Sequence, residues 1–312
     1  MKKDHKPNLF VVGEPKCGTT ALIDFLGQHP DIFTTKFEVG AFQEDLMASK
    51  DRWRGRKKGY HLGRAKKLYK KLFDKVEDEV VIGEATTGNI WSKVAARKIH
   101  DFNPSARIII LVRNPVDFLY SLHSQYVVNL DESVKEFRKA LELEPRRRKG
   151  LDLPRQVPFP EMLYYSEMTQ FTEHIKRYLE VFPRKQVKLI VYDDFKRDNA
   201  KVYEEVLGFL GVDRSFRPRL SRVNANKFVR CESLKRIIDY LKLPYWASRI
   251  LPRRFHSWLS TLYHKGMFST RNRVPLDPDF RKELMKRYKP EVVRLSKLLK
   301  RDLVKEWGYD RI

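Results

Sequence analysis

The chain has 312 residues, with 64 Lys and Arg against 40 Asp and Glu, a formal charge of +24, and 42% hydrophobic residues. That is long enough for one large α/β domain and too apolar for a disordered polymer. Two distant cysteines exclude a disulfide framework, and no apolar run reaches transmembrane length. The charge points to an anionic ligand, polymer or membrane face and says nothing of the fold.

In chain order, Met1 to Pro7 leads into the first strand without an apolar signal segment, so the expected compartment is the cytosol. Strands are predicted over 8–13, 79–83, 107–112 and 187–192. Helices are predicted over 19–28, 91–100, 115–129, 161–181, 197–210, 232–242 and 279–305. This alternation implies an α/β fold, a P-loop-like parallel sheet flanked by helices on both faces. The expected organisation is a single domain, 1–312, with basic insertions near 50–72 and 145–160 and a helical C-terminal part, 231–312.

The first strand breaks into Glu14-Pro15-Lys16-Cys17-Gly18-Thr19-Thr20, and a helical pattern follows. A helix opening on two threonines offers unpaired N–H groups, its positive dipole end, two hydroxyls and Lys16 to a phosphate-like or sulfate-like group. This is not the Walker A pattern, because Lys16 precedes Gly18. Farther on, Arg107 to Val112 reads as a strand buried on both faces, with Arg113 at its end and Ser121 about two turns into the next helix. Arg113 and Ser121 are placed to converge on one anion. Between these elements runs a basic stretch, 51–71, read as a face for an anionic acceptor or as a solvated surface. Later, Leu241 to Lys265 interleaves tryptophans with basic residues; it reads as a helical lid or as a peripheral membrane contact.

Pro15 to Leu22 and Arg113 to Ser121 together resemble two elements of the PAPS-dependent sulfotransferases. Glu38 to Phe42, Gly83 to Thr87, Leu189 to Phe195 and Pro275 to Trp307 extend the likeness toward the bacterial-type, heparan-sulfate-sulfotransferase-like branch. The resemblance implies that Lys16, Cys17, Gly18, Thr19 and Thr20 hold the 5′-phosphosulfate of PAPS, and Arg113 and Ser121 its 3′-phosphate. It gives Lys16 the leaving oxygen, makes Glu38 the general base, and requires no metal. Arg222, Lys227 and Arg230 match the late cofactor-contacting loop. His123, on the Ser121 helix, is an alternative base or else a packed helix residue. Cys17 stands where Ser or Thr is usual, and Ala85 and Thr87 replace a frequent Lys and Pro.

The expected reaction is sulfuryl transfer from PAPS to a hydroxyl or amine of a glycan or glycolipid, giving PAP; a small-molecule or lipid acceptor is the alternative. The rival classes are a nucleotide kinase or NTPase, which lacks its Walker lysine here, and a nucleic-acid-binding protein. The latter is motivated by charge alone, without a recognition motif, so no specific nucleic acid is expected as partner.

Overall fold

The computed structural model describes residues 6–35, 37–220, 227–230, 235, 238, 266–270 and 273–312. Five parallel strands form one sheet in the order β2-β3-β1-β4-β5: β1 Leu9–Val11, β2 Ile32–Thr35, β3 Val81–Ala85, β4 Arg107–Val112 and β5 Val187–Val191. The first helices are α1 Thr19–Leu26, α2 Glu44–Trp53, α3 Tyr60–Leu72, α4 Ala95–Phe102 and α5 Pro115–Asn129. Leu9 pairs with Gly83 on one side and Arg107 on the other, so β1 is central. The chain goes to one side of β1 for β2 and β3, then to the other for β4 and β5. The carboxyl ends of β1 and β4 therefore flank the switch point where open α/β sheets bind ligands.

Burial explains why these segments are strands. Every β1 residue, and Ile108 through Leu111 of β4, is 0% exposed, which requires cover on both faces of the sheet. Each such side chain contributes about 1.5–3 kcal/mol when removed from water.

Strand β2 is absent from the sequence expectations. Ile32-Phe33-Thr34-Thr35 has only two apolar residues, and it forms a half-buried edge strand paired on β3 alone. The helix expected over 161–181 divides into a 3₁₀ turn at Pro160–Leu163, one turn at Tyr165–Met168, and Phe171–Leu179. The last piece starts anew because the Glu291 carboxylate accepts the Thr172 backbone N–H at 2.7 Å. The closing helix runs over Pro278–Leu299, stops where Lys300 turns left-handed, and is followed by a short helix at Leu303–Glu306. α4 begins at Ala95 because the Ser92 hydroxyl accepts its N–H.

Lys227–Val229 and Phe268–Thr270 form a two-stranded antiparallel ribbon. The expected helix over 232–242 falls largely outside the described residues, and the 241–265 segment and Arg222 fall wholly outside them. Among the described residues, no helix is long and apolar enough to cross a membrane.

Within the basic insertion expected near 145–160, the middle arginine of the 146–148 run points inward. Arg147 is fully buried and donates to both oxygens of the equally buried Glu132, at 2.7 and 2.8 Å; the Tyr165 hydroxyl also donates to Glu132. Arg148 reaches Glu144 and Glu167, and Arg146 reaches Asp152. Removing one partner of a buried pair strands the other, so Arg147→Ala should lower the unfolding free energy by about 3–5 kcal/mol. Urea titration of Arg147→Ala beside Arg146→Ala checks this: the exposed Arg146 should leave the midpoint unchanged.

Candidate active site

The site begins where β1 ends. Gly13 lets the two central strands approach closely, since a Cβ there would sit 2.4 Å from the Leu111 backbone nitrogen. Beyond it the loop curls through two left-handed residues, Lys16 at φ 64° and Gly18 at φ 90°. Curls of this kind turn backbone N–H groups into one concavity. The first intrahelical hydrogen bond of α1 runs from Leu22 N–H to the Gly18 carbonyl, at 3.0 Å, with no side-chain cap. The N–H groups ahead of it have no intrahelical partner, which suits an anion. Cys17 is 0% exposed, and burial pushes its thiol well up, with Arg113 opposing; it packs as a neutral loop residue.

Arg113, at the end of β4, donates to the Lys16 carbonyl at 3.0 Å and lies over the Tyr192 ring. Ser121, buried on α5, accepts from Arg273 at 3.3 Å. Burial first, and then the charge of Arg113, holds the Arg273 guanidinium below its ordinary range; Tyr120 and Asp117 oppose this. Two guanidinium groups close enough to repel, one of them bonded to a serine hydroxyl, suit a multiply charged anion. One turn beyond Ser121, Gln125 accepts from the Lys16 ammonium at 3.1 Å.

The sequence reading missed Arg273 and Gln125. Gln125 was legible only as the next position along the α5 stripe. Arg273 lies some forty residues beyond the loop assigned to late cofactor contacts. In that loop, Arg230 is exposed and its N–H serves the ribbon by donating to Met267, while Lys227 sits on the ribbon strand.

Lys16 and Glu38 line one cleft of about 1020 Å³, together with Thr87, Trp91, Gln125 and Tyr126. Thr87, noted as a replacement for proline, donates its hydroxyl to the two Glu38 oxygens at 3.0 and 3.3 Å. Glu38 is open to the cleft, yet the surrounding walls exclude enough water to raise its pKa, against the effect of Thr87. Behind it, Glu84 of β3 is buried and accepts from Thr86 at 2.7 Å and Asn89 at 3.0 Å. Burial foremost, with the Glu38 charge adding and the two hydrogen bonds opposing, pushes Glu84 up to about 7.

His123 does not join this group. It is 2% exposed, its Nε2 bonds the Val134 carbonyl at 2.8 Å, and its ring packs on Phe137 and Tyr165. Ser121, Leu122, Gln125 and Tyr126 form one stripe of α5, and at about 100° per residue His123 falls outside it. Burial also lowers its pKa, so the alternative-base reading is corrected to a packed helix residue.

The outer wall is basic. Lys50, His61, Arg64, Lys67 and Lys71, from α2 and α3, line the cleft, and Glu38 is the sole carboxylate among the described lining residues. Lys50 is held below its ordinary range by burial and then by Arg54 and Arg64. Not every cation of the 51–71 stretch serves this wall. Arg54 donates to the carbonyls of Arg155, Gln156 and Val157 at 2.6–2.8 Å, tying two segments together.

The family model described as Sulfotransferase domain matches residues 6–244. Over 301 residues the chain is 26% identical to the human bifunctional heparan sulfate N-deacetylase/N-sulfotransferase 3, covering 95% of this chain and 30% of that protein. It is also 26% identical over 225 residues to the human heparan sulfate glucosamine 3-O-sulfotransferase 6, covering 72% of this chain and 58% of that protein. The chain thus spans 30% of the length of the first relative and 58% of the second. A solved sulfotransferase from Alicyclobacillus acidocaldarius superposes with a TM-score of 0.69 at 28% identity, covering 96% of this chain and 98% of that one.

Glu84 keeps its proton in the folded state up to about pH 7, whereas an unfolded glutamate ionises near 4.3. The folded state binds the extra proton between those values, so the stability linked to Glu84 is full below the unfolded pKa and lost as pH rises to about 7. Glu84→Gln should therefore outlast the parent in urea at about pH 8, with the gain shrinking toward about pH 5. Equal midpoints at both values would contradict the assigned protonation.

Proposed function

Since the chain belongs to the PAPS-dependent sulfotransferase family, we propose that it transfers a sulfuryl group from PAPS to a hydroxyl or amine of an anionic glycan, releasing PAP. The observation that carries this reading is the shared cleft. The loop lysine and a carboxylate of raised pKa line the same space as a wall of cations, and among the described lining residues that carboxylate is the sole acid. An acceptor bearing carboxylates or sulfates meets Lys50, Arg64, Lys67 and Lys71 while its reacting group reaches Glu38.

The residues divide the work. Lys16, Gly18, Thr19 and Thr20 would hold the 5′ end of the donor, and Arg113, Ser121 and Arg273 its 3′-phosphate. When bound, PAPS supplies an activated sulfuryl group whose bond to the 5′-phosphate breaks as the bond to the acceptor forms. Lys16 stabilises charge on the departing oxygen, held in place through its bond to Gln125. Glu38 takes the acceptor's proton at a carboxylate oxygen, and Thr87 fixes the direction of that carboxylate.

The apolar lining of the cleft favours a second acceptor class. Met47, Leu68, Phe159 and Met162 line it beside the cations, and that mixture suits the lipid portion of a glycolipid.

Purified protein, labelled PAPS and desulfated heparan sulfate should give labelled glycan and PAP. Lys16→Ala and Arg113→Ala should each weaken PAP binding about tenfold or more by calorimetry, as a charge-assisted contact is lost. Glu38→Gln should keep PAP affinity and lose about 10²–10⁴ in kcat. No PAP binding by the parent would overturn the donor assignment. PAP binding with turnover on glycolipid but not free glycan would shift the acceptor to the second class. Lys67→Ser/Lys71→Ser should raise the acceptor KM and leave PAP binding alone.

A further inference from the structure

Trp91 follows the 3₁₀ turn Thr87–Ile90 and stands partly exposed in the wall of the cleft that also holds Glu38 and Lys16. Its indole N–H donates to one oxygen of Glu14 at 2.7 Å, and Nδ1 of His174 bonds the other at 2.8 Å. Glu14 is 1% exposed and His174 is 4% exposed. The backbone is clamped as well: Arg177 donates to the Trp91 carbonyl at 3.3 Å, and the Tyr178 hydroxyl donates to the Asn89 carbonyl at 2.8 Å. Glu14 in turn donates its own N–H to the Leu111 carbonyl, two residues ahead of Lys16. The ring also lines a second cavity of about 340 Å³, which His174 and Arg177 share.

Burying a carboxylate and a histidine is costly, and a tryptophan needed only for packing does not require such a pair to satisfy its N–H. Here the buried groups grip the edge of a ring that packs against the core and is partly exposed where it lines the cleft. An in-plane bond at the edge occupies neither π face, and a carboxylate acceptor polarises the indole, making the ring more electron-rich. The ligand complementary to such a face, set between a carboxylate and a cationic wall, carries a flat set of C–H bonds with polar groups around its rim. A pyranose ring has that surface.

We propose that Trp91 is the platform on which a sugar ring of the acceptor stacks beside the reacting position, with Glu14 and His174 as positioning residues that set the angle of the indole. The inference rests on the glycan-acceptor reading and adds the specificity-determining residue.

The test uses the full chain with PAPS or PAP and oligosaccharides of desulfated heparan sulfate. Trp91→Ala should raise the acceptor KM about five- to tenfold, the size of a lost aromatic contact, with kcat and PAP affinity nearly unchanged. Trp91→Phe should recover much of the loss. Glu14→Ala should raise KM in the same direction, whereas Glu14→Gln, which keeps an acceptor oxygen, should do so less. Titrating the oligosaccharide into the PAP complex should change tryptophan emission in the parent but not in Trp91→Phe, although four other tryptophans remain. An unchanged KM in Trp91→Ala, or an emission change that survives Trp91→Phe, overturns the platform. Loss of PAP binding in Trp91→Ala also overturns it, in favour of a structural role. A parent that binds PAP yet turns over no glycan refutes the acceptor reading instead, so the two failures are distinct.

Discussion

The hydrogen bond from Arg113 to the Lys16 carbonyl is the constraint on which the site depends. It ties the end of β4 to the loop that leaves β1, across the point where the sheet reverses its order. A left-handed lysine is strained, and it persists because its carbonyl is held from behind while Gln125 receives its ammonium. Because α5 grows directly out of β4, the strand that supplies the clamp also places Ser121 and Gln125. One strand–helix unit thus addresses both ends of the anion site. Gly18 completes the turn at a position where an added Cβ would press on the Phe195 ring.

A net charge of +24 is distributed by function rather than by sequence neighbourhood. Arg147, in the densest basic run, is fully buried on Glu132, and Arg301 is consumed by Asp194 and Glu306. Arg54 is spent on three backbone carbonyls. The cations that meet the cleft are spread over two helices, and Lys50 and Arg273 are both held below their ordinary ranges, burial being the leading cause. For both, loss of water comes first and neighbouring guanidinium groups add to it, whereas the arginines in internal pairs sit opposite carboxylates.

What was legible in the sequence was local. The apolar run at 107–112, the Lys16 loop and the helix opening at Pro115 are each decided by a few adjacent residues, and the sheet carries all three where expected. Strand β2 escaped because an edge strand needs little hydrophobic signal, its order coming from β3. Arg273 escaped because its partnership with Ser121 joins residues 152 positions apart. His123 was left between base and packed residue because a helix residue's type does not tell which side of the helix faces the ligand. Thr87 was visible only as a departure from a pattern, and its meaning came from the distance to Glu38.

The attachment of the basic wall has a consequence for how such a protein changes over time. The turn that joins α2 to α3 is moored to the 155–157 segment by two side chains, Arg54 and the indole N–H of Trp53, which donates to the Val157 carbonyl at 3.0 Å. Both moorings use backbone carbonyls, which every residue supplies. The outward residues of α3 are therefore free to vary in charge, length of side chain and spacing without disturbing the sheet, the loop or α5. Selection can redraw what the cleft recognises by editing one surface helix while the anion site stays as it is. A lineage built this way explores new acceptors at little risk to its chemistry.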